Sequence, residues 1–468
     1  MVEIASLPGQ AYTGFLAGAR GFKMRVRIGD KAMGFWKLAA PLLAITCGAA
    51  AQDLAPEVLL LAHIRSHMRV ELSRVTNYTC LETTTRFHSE PGGHSKAQSK
   101  MQPLDTVRLE VAYTNHHEWY GSPGDRNLSE DNPVAFIGSG MIGNGFFAIT
   151  VNNIFLSDMA TFTYRGEETL GGRTASRFDF RLPRQLGGFK ISLVEGAGAV
   201  GELGSFWADP QSLDLIRLES QVDDIPPYLP LIEMTVNVNY ARTRIGEHSV
   251  LLAQEAGLHM LKTTGEENYN HLEYTHCRAF SAQSDIRFDA EPQGAAQPLP
   301  SDGPKTLTEA AGALEAVPPF LPITLQLTAP ITEKDAVGTL IEARVSADVV
   351  RKGKIVVPHD SLVRGRIRRL ERYQTGAEFV VGLEFTEVEV NGRSLRFYAD
   401  LIRMDRRPGI RPALDEPVIV RTAGGIQTTS QTVTLHELPG VASFFVNGKT
   451  FTLPSGLRTV WRTRGLIR

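Results

Sequence analysis

The 468-residue chain has little cysteine: three residues, Cys47, Cys80 and Cys277. No paired-cysteine pattern of the kind that holds structural zinc is present. Long apolar runs are also missing. The most apolar stretch, inside residues 33–51, runs about a dozen residues, against the ~20 needed to span a bilayer as a helix. There is no G-x-S-x-G nucleophile elbow and no Walker loop, so serine-hydrolase and P-loop chemistry lack a starting residue. No catalytic constellation emerges, and the chain reads as a non-enzyme without a cofactor. Charge of one sign is lacking as well: 49 Lys/Arg stand against 51 Asp/Glu, a formal net charge of −2. Apolar content of 42% and charged content of 21% are those of a globular protein, and the length suggests two folded units.

The near-neutral total hides an asymmetry. From Pro319 onward about 22 Lys/Arg face about 15 Asp/Glu, whereas residues 52–318 are acidic by roughly 13 charges. Residues 1–51 read as a leader. Within it, "MGFWKLAAPLLAITCGAAAQ" from Met33 has a basic start, a short apolar run and Ala49-Ala50-Ala51 before Gln52. That is a signal-peptide pattern with cleavage after Ala51 and export to an oxidising compartment. A lipid-modified Cys47 is the lesser alternative, because "AITC" lacks the flanking residues such sites favour. Export would leave Cys80 and Cys277, an even pair whose simple reading is one disulfide; two buried thiols are the alternative.

Periodicity then sets the fold class. Leu54, Val58, Leu61, Met68, Leu72 and Val75 share one face of a helix predicted over Asp53 to Val75. After "NYTC" the period changes to two. Val107, Leu109, Val111 and Tyr113 alternate with polar neighbours, as do Met234, Val236, Val238 and Tyr240. Turns at Gly171-Gly172 and Asp209-Pro210 complete the signature of an antiparallel meander. Residues 291–318, rich in Pro, Ala and Gly, read as a linker. Beyond it, successive strand-like runs over 319–402 predict a small all-β barrel or sandwich. Residues 403–468 read as a C-terminal extension with a hairpin turning at Asn447-Gly448.

Several motifs invite chemistry. "FIGSGMIGNGFF" satisfies G-x-G-x-x-G at Gly138, Gly140 and Gly143. A dinucleotide loop needs a buried parallel strand before the glycines, and only four residues separate Pro133 from Gly138. The glycines instead predict a flexible entry to an apolar helix lying across a sheet. "HIRSH" places His63 and His67 four apart, but Ile64 stands where a zinc protease has Glu. "NHHEWY" clusters His116, His117 and Glu118 at an apparent hairpin, where adjacent strand residues face opposite ways. No metal site is expected from either. "RGRIRRLER", Arg364 to Arg372, reads as a solvated basic face or one for an anionic envelope partner, not for nucleic acid. Asn77 in "NYT" fits a glycosylation sequon, a frequent chance match.

Two resemblances rest on these residues. Residues 52–290 resemble the periplasmic lipoprotein-carrier fold, through the opening amphipathic helix, "NYTC", and "FWADPQSLDLIRLE", similar to that family's W-x-D…L-x-R-x strand pair. The resemblance implies a curved antiparallel sheet covered by helices, with a concavity for acyl chains. Phe146, Phe147, Ile149 and Phe155 are then the expected lining or plug, and a lipid or acylated protein the expected partner. "YTC" and "CRAF" at Cys277 are also similar to elements of exported proteins of soil acidobacteria. Residues 320–402 resemble the C-terminal β-domain of conjugation and type IV secretion core subunits, through "GTLIEARVSADVV", "VVPHDSLVRGRI" and "VGLEFTEVEVNGRSLRFYADL". Asp360 replaces that family's usual glycine before Ser361, and its pore-lining helices find no counterpart. The resemblance implies a fold, not a channel. The expected function is binding of an apolar ligand by an exported envelope protein, the alternative a structural subunit of an envelope complex.

Overall fold

The computed structural model describes residues 2–6, 54–75, 78–89, 101–114, 117–125, 128, 130, 132–185, 189–193, 195–279, 316–373, 377–412, 421–422, 425–426, 438 and 440–465. The expected signal peptide (33–51), most of the linker and Asn77 lie outside them. The described chain is mainly β with two α-helices, as its alternating patterns require.

Ten antiparallel strands form the first sheet. In spatial order they are His117–Gly121, Gln102–Thr114, Tyr78–Ser89, Glu267–Ala279, His248–Lys262, Leu231–Ile245, Leu215–Asp223, Gly201–Ala208, Arg173–Leu182 and Thr161–Leu170. The sheet curls into a half-barrel. Gly171 and Gly172 turn its last hairpin at φ 57° and 81°, the left-handed pair a two-residue turn demands. Cys80 and Cys277 are joined by a disulfide across neighbouring strands, closing 197 residues.

Hydrogen-bonded register lines up one core-facing row across the sheet. It runs Val107, Thr84, Leu272, Ala256, Val238, Leu218, Phe206, Phe178, Tyr164. Helix α1 (Pro56–Val75) lies on this face and buries Ile64, Met68, Leu72 and Val75. The expected apolar stripe is corrected at its start: Leu54 precedes the helix, Val58 lies in its first turn, and both are exposed, burial beginning at Ile64. Buried Glu71 accepts hydrogen bonds from Arg74, Arg242 and the amide of Leu251, which ties the helix to the sheet. Val2–Ser6, inside the expected leader, forms a strand parallel to Met141–Gly143 and antiparallel to Phe189–Leu193.

The second sheet runs Ala399–Met404, Arg458–Thr463, Pro322–Leu327, Leu340–Val345, Leu362–Tyr373, Glu378–Val390, Ala442–Asn447 and Ile410–Pro412. Three of these strands come from residues expected to be an extension, so that reading is corrected: Arg458–Thr463 sits between two strands of the sheet, and Trp461 is buried against Phe385. The expected hairpin at Asn447-Gly448 is corrected too. Gly448 donates its amide to Ala377, and Thr452–Leu453 pairs with Ile331–Thr332 instead of folding back. Asp360 adopts φ 64°, a left-handed conformation that favours glycine. Arg344 bonds both its carbonyl and its carboxylate.

Candidate functional site

The site expected from sequence is the core-facing side of the ten-stranded sheet, and the chain lays its own segment there. Helix α2 (Ile149–Phe155) follows the glycine-rich stretch and lies across the sheet. Phe146, Phe147, Ile149 and Phe155 are only 1, 2, 8 and 0% exposed. The Phe155 ring meets Phe206 edge-on with centroids 4.8 Å apart, and Phe206 stacks on Phe178 at 5.2 Å. Phe147 sits 5.5 Å from the Tyr274 ring. At Gly143 a β-carbon would stand 2.5 Å from the Phe146 ring and 2.8 Å from Leu258. All four residues expected to line or plug the concavity are buried, in a segment of the chain's own that we call the plug.

What holds the plug went unread. A seven-residue helix is too short to persist on its own. Side chains from outside it hold its two ends. At the N-terminal end the buried Glu118 carboxylate accepts from the amides of Gly145 (2.8 Å), Ala148 (2.8 Å) and Ile149 (3.2 Å), and from the Tyr120 hydroxyl (2.6 Å). At the C-terminal end Arg65 of α1 donates to the carbonyls of Phe155 (3.0 Å) and Ser157 (3.2 Å). Acceptor oxygens at the amides and a cation at the carbonyls satisfy the free backbone groups of both helix ends.

Glu118 belongs to a buried polar group on the sheet. Tyr113 pairs with Glu118 and Tyr274 with Glu82 across the strands, and Tyr120, Tyr240 and Glu202 lie in the same field. Burial pushes Glu82 up to about 8, with the nearby Glu118 charge adding to the shift. Burial likewise raises Glu118 against its hydrogen bonds, and raises Glu202 to about 7. The Tyr240 hydroxyl and one Glu202 oxygen are buried without a hydrogen-bond partner. Beside this group, Arg86 makes two 2.6 Å bonds to Asp105 and one to the carbonyl of Ser139. Polar residues and phenylalanines are interleaved on this face, with Phe147 packed on Tyr274 of the polar group.

The remaining motifs resolve differently. His67 contacts Asp214 at 2.8 Å while His63 is exposed, and no group of metal-ligating side chains occurs among the described residues. In "NHHEWY", His117 faces outward and Glu118 inward, the alternation of a strand. The basic run is corrected as well: much of it faces the first unit. Arg366 binds Asp125 (2.8 Å), and Arg368 donates to the carbonyl of Ala135 (3.2 Å). Arg369 pairs with Glu371, which accepts from the Ser139 hydroxyl (2.7 Å). The glycine motif serves this interface. A β-carbon on Gly138 would lie 2.5 Å from Arg369 and Glu371 side-chain atoms, so a larger residue there would displace this ion pair. The two units also share backbone bonds, from Arg108 to Val337 (3.0 Å) and from Val337 to Thr106 (2.8 Å). A polar cleft of ≈ 350 Å³ lies on the second unit, lined by Arg344, His359, Asp360, Ser361, Glu389 and Asn391 among others.

The chain matches no family model and no curated protein. It is similar to several solved structures. One is a DUF1329 family protein from Desulfovibrio piger, at 10% identity and TM-score 0.28, covering 50% of this chain and 96% of that one. Another is a putative outer membrane lipoprotein-sorting protein domain from Vibrio parahaemolyticus, at 11% identity and TM-score 0.26, covering 48% and 94%. A third is ComB10 of the Com type IV secretion system of Helicobacter pylori, at 14% identity and TM-score 0.18, covering 32% and 88%. No residue role is taken from these partial likenesses.

Proposed function

We propose that the chain is a non-catalytic, exported envelope protein whose curved sheet takes up an apolar chain, a lipid or the acyl group of an acylated protein, in exchange for its own plug. The observation that carries this reading is the plug itself: a short apolar segment seated on the sheet and fastened at its two ends by Glu118 and Arg65. Magnitudes favour an exchange near balance. Four large apolar side chains contribute about 6–12 kcal/mol by burial, and an acyl chain of about 14 methylenes contributes about 11 kcal/mol. The buried tyrosines and carboxylates beside the plug suit a polar headgroup. The periplasmic resemblance supports an envelope location.

The second reading is a structural subunit with no ligand. It is favoured by the completeness of the plug's burial and by the interface that the glycine stretch makes with the second unit. Native mass spectrometry with lipid extraction separates the two. The chain purified from a periplasm is expected to carry acyl ligand, and Leu218→Glu on the core-facing row of the sheet, verified as folded by circular dichroism, to lose it. A clean apo mass, above all in a ring or higher oligomer, would promote the structural subunit.

A further inference from the structure

A hairpin on the second unit carries more exposed apolar surface and charge than its fold requires. Val349–Arg351 and Lys354–Val357 pair only with each other. Lys352 (φ 50°) and Gly353 (φ 76°) make the two-residue left-handed turn. All six residues from Val350 to Ile355 are exposed. Val350 and Ile355, at 54% and 57% exposure, are directly opposed in the register and so share one face. Arg351 and Lys354 are the next opposed pair, with Lys352 at the tip. Like charges facing each other across a hairpin are destabilising unless an anion lies between them. None of the three cations is in an ion pair among the described residues, and the nearest acids in sequence, Asp348 and Asp360, are engaged by the His359 amide and by Arg344.

The hairpin's position matters as much as its composition. It follows Leu340–Val345 and precedes Leu362–Tyr373. Gly338 and Arg366–Glu371, at the other ends of those strands, contact the first unit. The strand between places the tip about 20 Å from the interface.

We infer that this hairpin is a contact site for the surface of an anionic phospholipid membrane. Val350 and Ile355 enter the boundary between headgroups and acyl chains, while Arg351, Lys352 and Lys354 meet lipid phosphates. Charge complementarity selects this occupant, and the exposed aliphatic pair distinguishes it from a free anion. The site is independent of the ligand reading of the sheet. The test is co-sedimentation of the full chain with phosphatidylcholine vesicles, with and without phosphatidylglycerol. Binding is expected only to the anionic vesicles, weakening as salt is raised. Joint replacement Arg351→Gln, Lys352→Asn and Lys354→Gln is expected to weaken it on the order of a hundredfold. Val350→Thr with Ile355→Thr, which keeps the β-branched strand, is expected to leave a weaker binding that salt fully reverses. All these residues are solvent-facing, so thermal unfolding should be unchanged in both variants. Equal binding of the triple variant, or no binding to anionic vesicles, overturns the assignment. Tip-dependent binding to polyglutamate but not to vesicles overturns it in favour of an acidic protein partner.

Discussion

Glu82 shows how far a single residue can set the pH behaviour of this protein. Its carboxyl is buried on the sheet and raised from 4.5 to about 8, so the folded chain holds a proton that the unfolded chain has released. Stability therefore falls as pH rises from about 4.5 to about 8, by at most about 1.4 kcal/mol per pH unit, and then levels off. Glu202 acts in the same direction up to about 7. Asp214 works the other way: hydrogen bonds from Arg242 and His67 outweigh its desolvation, so its contribution is present above its ordinary value of 3.8 and lost in acid. Replacing Glu82→Gln is expected to flatten the decline of Tm between about pH 5 and pH 8, gaining about 1–3 kcal/mol at the upper end. Thermal unfolding followed across that range checks it; an unchanged slope would mean that Glu82 does not titrate in the folded core.

At the scale of the element, α2 depends on groups outside itself. Glu118→Gln keeps the shape but weakens the bonds to three amides, and Arg65→Met removes the cation from the carbonyl end. Each substitution is expected to cost about 1–3 kcal/mol, expressed as local opening of residues 145–157 while the sheet stays folded. Hydrogen exchange resolved by peptide distinguishes this from global loss. The helix itself was legible from Phe147, Val151, Ile154 and Phe155, and the strands from their alternation, because burial imposes those periods. The latches were not legible. Glu118 sits beside two histidines that suggest a metal, and its parity with buried Tyr120 was the available signal. Glu82 shares the inward parity of Cys80 and Arg86 in the same way. Charged residues at inward positions mark polar work inside a sheet, but sequence does not name a partner ninety residues away, as Arg65 is from Phe155.

Across the whole molecule, the two halves meet at a built interface that joins one ion pair, Arg366–Asp125, to hydrogen bonds on backbone carbonyls. Arg366, Arg368, Arg369 and Glu371 face Asp125 and the backbone of residues 135–139. The sequence showed the charge asymmetry and the glycine motif separately; their convergence is long-range, and the nucleotide-like spacing is a by-product of close packing. Gly138→Val is expected to force the units apart locally without unfolding either. Wild-type halves, cut by protease in the Pro/Ala/Gly-rich segment between 291 and 315, should co-elute in gel filtration, and the variant's halves should separate. Late strands such as Arg458–Thr463 were misassigned for a related reason, since their sheet partners lie over a hundred residues earlier.

The claim on which the account turns is that an apolar ligand replaces the plug. The most direct measurement is hydrogen exchange of residues 145–156 with and without a long-chain fatty acid, with the mass of the bound ligand recorded on the same sample. The account predicts one fatty acid bound per chain, faster exchange of those amides, and unchanged protection in the strands beneath them. Absence of binding, or binding that leaves the plug's exchange untouched, would contradict it.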